Sequence, residues 1–233
     1  MIKPIDKALL LRKSKHLRSK EPYSAFRRRL RRPQEILTHI EENISDRGVK
    51  YEARRHYIVS MMAAFEIYWR DLLRRTIDEY ELTTKQLTRV NEIKLNLLDL
   101  YRVTGEKLTV GELLTSAYSF QSHPGIEQLV GNLFKVGLYT ELRLPHVEIV
   151  AGVDWKGAGA EEFNNSVIDL VVKEIIPTID RCQMIRNHTV HDTGTLYRPS
   201  SETIGQYRLH VSVFNVFVGN GVRSIFKKHC KTA

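Results

Sequence analysis

Apolar residues recur every three or four positions through most of this chain. The clearest run lies in EARRHYIVSMMAAFEIYWRDLLRRTIDEYEL, where Ile58, Met61, Met62, Phe65, Trp69, Leu72 and Thr76 share one face of a 3.6-residue period. Arg54, Arg55, Arg74 and Arg75 mostly lie off that face, so the stretch predicts a long amphipathic helix. A second predicted helix runs from about Glu161 to His188 on Val167, Leu170, Val171, Glu174, Ile175, Ile179, Cys182 and Ile185. Pro177 lacks a backbone donor and predicts a kink in it. A third spans about Glu202 to Lys228 on Ile204, Val211, Phe214, Val218, Val222 and Ile225.

The punctuation between these stripes is less regular. Pro33 reads as a helix start, with Glu35 and Glu41 suited to its N-terminal end, and Gly48 reads as a break. Thr83-Thr84 ends the long helix and caps another through Leu98–Leu100. LTVGELLTSAYSF and PGIEQLVGNLFKVGL predict short helices, whereas LRLPHVEIVAGVDWKGAGAEEF reads as a short strand pair followed by a Gly-rich connector. That connector lacks the G-x-x-x-x-G-K-[ST] spacing of a phosphate cradle. The whole predicts an all-α helical bundle over residues 36–233, with a small irregular insertion at about 104–160 carrying a short β-hairpin.

Composition adds one feature to this picture. Of 233 residues, 42% are hydrophobic and 27% charged, which suits a folded domain with one substantial core. No apolar run is long enough for a membrane span or a secretory leader, so no membrane association is expected. Cys182 and Cys230 are the only cysteines, which points to a reducing cytoplasm rather than a disulfide framework. The net charge of +9 is concentrated: residues 1–35 carry twelve Lys/Arg against three acids, and the remaining chain balances 24 against 24. A basic N-terminal extension, residues 1–35, is therefore expected to draw in a polyanion by counterion release. Arg27, Arg28, Arg29, Arg31 and Arg32 are its candidate RNA-binding residues; a solubilising, partly ordered extension, or one that folds against an acidic partner, is the plainer reading of the same charges. No compact helix-turn-helix signal favours DNA.

The chemistry-bearing stretch is DRCQMIRNHTVHD, residues 180–192, where an apolar stripe gives way to Arg186, Asn187, His188 and His191. On a continuing helix Asn187 and His191 are i, i+4 neighbours. Such a set suits transesterification of RNA: an imidazole for proton transfer, a guanidinium for phosphate oxygens, and an amide to hold either. The plainer reading places Arg and His at a helix C-terminus for its dipole. A metal site is not expected, because no H-E-x-x-H or Cys pair accompanies His188 and His191.

IRNHTVH, closing an apolar helix in an all-helical chain, resembles the R-x4-6-H motif of the HEPN superfamily, in which a polar residue commonly follows the arginine. AAFEIYWRDLL is similar to the family's other signature helix, which packs beside the motif helix. The resemblance covers residues 36–229 in architecture and these two stretches in detail. It implies a metal-independent endoribonuclease that needs no cofactor, leaves 2′,3′-cyclic phosphate ends, and works as a homodimer with a composite site. Arg186 and His191 would be catalytic and Asn187 supporting. Two copies of His191 across a two-fold axis supply both the base and the acid that one imidazole cannot. His188 is expected to be solvent-exposed or to support the motif, and Glu66 to be either a buried partner of Arg186 or a surface acid. A toxin or anti-phage defence effector restrained by an antitoxin or a regulatory protein partner is the expected role. A non-catalytic RNA- or nucleotide-binding or protein-interaction module is the alternative.

Overall fold

A computed structural model describes residues 3–13, 21–90, 97–150, 158–191 and 197–232. The expectation of an all-α helical bundle holds. Helix α3 (Arg47–Glu79) is the axis: α2 (Pro22–Asn43), α6 (Val110–Ala117), α10 (Ile176–His191) and α11 (Ser201–His229) all pack on it. Its predicted stripe is buried throughout, from Ile58 to Thr76. Asp46 caps α3 by accepting from the Val49 amide at 3.1 Å, so the Gly48 break falls inside its first turn.

Around this axis, α4 (Thr84–Leu87), α5 (Leu97–Gly105), α7 (His123–Phe134) and α8 (Leu138–Leu142) fill the middle of the chain. Thr83 does cap a helix, in a reciprocal capping box with Gln86, but that helix is only α4; residues 91–96 lie outside the described residues. The expected strand pair is absent from the described parts of its stretch, 142–150 and 158–163; residues 151–157 lie outside the described residues. The β pairing found elsewhere joins Tyr80–Glu81 (β1) antiparallel to Lys231–Thr232 (β2), fastening the chain's end to the end of α3.

Helix α2 begins at Pro22 rather than Pro33, which sits inside it. The reason is burial: Ala25, Phe26 and Leu30 repeat at helical spacing and join the core against α3. The expected boundary at residue 35 therefore falls within a continuous helix. Upstream, α1 (Pro4–Lys13) buries Ile5 and Ala8 with Leu108 in a small cluster beside α6.

The predicted Glu161–His188 helix is three segments: α9 (Ala158–Leu170), a π turn over Val171–Ile175, and α10. Within the π turn the Val171 carbonyl accepts from the Ile176 amide, five residues on. Pro177, which cannot bond back to the Lys173 carbonyl, follows directly. The extra residue per turn shifts the stripe, so Ile168, Val171, Ile175, Ile179, Cys182 and Ile185 are buried while Leu170 and Glu174 face out. Helix α11 keeps its whole predicted stripe inside. Among the described residues, no helix is long and apolar enough to cross a membrane.

Candidate functional site

Helix α10 turns Ile179, Cys182 and Ile185 into the core and leaves Met184, Asn187, Val190 and His191 exposed. Arg186 follows Ile185 and so lies at the edge of the buried face. Its Nη2 approaches Glu66 Oε2 of α3 at 3.7 Å, with the two side chains 19% and 18% exposed. Glu66 Oε1 in turn accepts from Arg70 Nη2 at 2.9 Å. The Arg70 guanidinium lies 6.0 Å from the Phe120 ring centroid and is almost wholly buried. One carboxylate thus stands between two guanidiniums, and the trio keeps a net positive charge. The Lys7 ammonium of α1 belongs to the same electrostatic set: burial, then Arg70, hold its pKa below the ordinary lysine value against the pull of Glu66.

Asn187 and His191 face outward. Asn187 Oδ1 accepts from Gln183 Nε2 at 3.1 Å, and that amide also reaches Gln121 Oε1 at 3.2 Å. Gln183 and Asn187 are i, i+4, so this bond sets the asparagine's orientation from one turn back. His191 is exposed at the last position of α10, on Asn187's side. His188 is half-buried and shares the last turn of α10 with His191. Five positions separate Arg186 from His191, which is about 140° around a helix and about 7.5 Å along it. Among the described residues neither hydrogen bond nor ion pair joins His191 to Arg186 or Asn187. Within the chain the guanidinium therefore points in toward Glu66 and the imidazole points out.

The five N-terminal arginines also divide. Arg27, Arg28, Arg31 and Arg32 project from α2 into solvent. Arg29, four residues after Ala25 and three after Phe26, is on the packed side. Burial lowers its pKa from the ordinary arginine value despite the attraction of Asp71. Residues 14–20 lie outside the described residues, as does Gly194 of the expected loop before α11.

Of the groups now found around the motif, Arg70 was signalled by its i, i+4 spacing from Glu66, whereas Lys7 and Phe120 carried no sequence signal toward it. Among the described residues no group of three His, Cys, Asp or Glu side chains is arranged to hold a metal ion. No protein-family model matches the chain, and neither a curated protein nor a solved structure shows significant similarity to it.

Proposed function

We propose that this chain is a metal-independent, HEPN-type endoribonuclease acting as a homodimer. The observation that carries the reading is the Glu66–Arg186 pair: the α3 segment resembling the family's second signature holds the arginine of the α10 motif, while Asn187 and His191 stand on the open face of the same helix turn. In this reaction a base takes the proton of a ribose 2′-OH. The freed oxygen attacks phosphorus, and the 5′-oxygen departs with a proton from an acid, leaving a 2′,3′-cyclic phosphate. Arg186 would neutralise the phosphorane oxygens and Asn187 would position substrate or imidazole. Because one His191 cannot serve both sides of phosphorus, the site needs a second copy across a two-fold axis.

The divergence of Arg186 and His191 within one protomer favours a second reading, a non-catalytic RNA-binding bundle in which the motif is a contact surface. The two separate cleanly. Purified protein is incubated with RNA in EDTA, and products are probed for cyclic phosphate ends. His191→Ala and Arg186→Ala are each expected to lose at least about 10²-fold in cleavage rate while keeping their helicity. Undiminished cleavage in both folded variants, or a strictly monomeric active particle, overturns the nuclease reading. As a toxin or defence effector, the wild type but not His191→Ala should arrest growth on expression, and a protein partner should relieve it.

A further inference from the structure

Helices α2 and α11 leave a groove of about 640 Å³ between them. Arg27, Arg28 and Arg31 line it from α2 and Arg208 from α11, all four exposed. No carboxylate lines it. Glu21, which accepts from Ser24 at 2.9 Å, and Glu35, which accepts from Arg31 Nε at 2.9 Å, are bonded to residues that line it. The Arg31–Glu35 pair is largely solvated and so binds weakly. Among the described residues, Arg27, Arg28 and Arg208 pair with no carboxylate.

The groove is not an annex of the α10 motif. Tyr23 and Phe26, part of its wall, meet Tyr68 of α3 edge-on, with centroids 6.4 and 6.0 Å apart. Tyr68 and Glu66 are two residues apart, about 200° around the helix axis. The arginine groove and Arg186 therefore lie on opposite sides of α3.

Like charges on both walls of a recess focus a positive potential inside it. Guanidinium forks match phosphate oxygens, and Arg27 and Arg31 repeat one helical turn apart, about 5–6 Å. Spaced forks facing one another across a groove suit successive phosphates of a strand better than a single ion. Tyr23 and the 60% exposed Leu209 add apolar surface at which a base or ribose can rest. A bilayer surface, being flat, meets a concave recess poorly. We propose that the α2–α11 groove binds the phosphate backbone of single-stranded RNA, as a site separate from the α10 motif. That the polymer is RNA rests on the proposed reaction; the preference for a phosphate strand does not.

The test measures anisotropy of a labelled single-stranded RNA on full-length His191→Ala protein in EDTA, across a salt series. Adding Arg28→Glu and Arg208→Glu together is expected to weaken binding at least tenfold. It should also make the slope of log affinity against log salt shallower by about 1.4, since each lost phosphate contact removes about 0.7. A pair of reversals outside the groove, Lys85→Glu with Lys227→Glu, controls for net charge. Should the reversal pair lose helicity, Arg28→Gln with Arg208→Gln is read instead, with a loss of at least threefold. Unchanged affinity in the groove variants overturns the proposal, as does an equal loss in the control pair. Groove-dependent binding to phosphatidylserine vesicles without RNA binding also overturns it. Groove-dependent RNA binding in a wild type that never cleaves removes the catalytic reading and leaves this one standing.

Discussion

Glu66 is the residue on which the motif's geometry turns. Its carboxylate is shared by Arg70 and Arg186, and the Arg70 side chain is only 7% exposed. Removing the negative charge leaves a buried guanidinium uncompensated, so Glu66→Gln is expected to destabilise the fold by about 1–3 kcal/mol. Urea unfolding checks the size, and double-mutant cycles check the partition. Coupling of Glu66 with Arg70, at 2.9 Å, should exceed that with Arg186, at 3.7 Å; equal couplings would refute the arrangement. Sequence alone held Glu66 open between a buried partner of Arg186 and a surface acid, because helical spacing says which face a side chain shares but not what crosses to meet it. The i, i+4 link to Arg70 was legible in principle. Phe120 was not, since it lies fifty positions along the chain from Arg70 and no local period records that contact.

Among elements, the α3–α11 contact shows how close packing depends on single atoms. Tyr68 donates to the Asn215 carbonyl at 2.6 Å and Trp69 Nε1 donates to Asn215 Oδ1 at 2.9 Å, a polar pair inside an otherwise apolar seam. A Cβ on Gly219 would meet the Tyr68 hydroxyl at 2.4 Å. Gly219→Ala is therefore expected to destabilise by about 1–3 kcal/mol, the overpacking outweighing the gain in helix propensity. Gly205, on the same helix, has nothing within 4 Å of that position, so Gly205→Ala should instead stabilise by about 0.5–1 kcal/mol. Thermal or urea unfolding of the two variants decides; the same sign in both contradicts the packing. The stripes of α3 and α11 were legible because each is a single unbroken period. The α9–α10 stripe was misread at Leu170 and Glu174 because a π turn inserts a residue into the phase without any marker except Pro177 downstream. Pro33 misled in a similar way: proline often opens a helix, yet the burial of Phe26 and Leu30 carries α2 through it.

At the scale of the whole molecule, two glutamates tie together parts of the chain that sequence order keeps apart, and both are tuned by their partners. Glu41 of α2 accepts a two-pronged contact from Arg54 of α3, whose third nitrogen donates to the Pro199 carbonyl ahead of α11 at 2.9 Å. Hydrogen bonding from Arg54 holds the Glu41 pKa below the usual carboxylate range. Glu141 of α8 faces Lys228 at 2.9 Å and His229 at 3.3 Å at the end of α11, with His146 at 3.5 Å. Burial pushes its pKa up, but the bonds from Lys228 and His229 outweigh that and leave it lowered. A carboxyl whose folded pKa is depressed binds protons more readily when unfolded. Its stabilisation is therefore complete above the unfolded value of about 4.3 and is lost as pH falls through the folded value. Glu41→Gln and Glu141→Gln should each lower the melting temperature near neutrality and flatten its fall on acidification. Wild-type and variant curves then converge on the acid side. A gap that persists undiminished below both pKa values would mean that these side chains act by shape alone, and that acid unfolding of the bundle starts elsewhere.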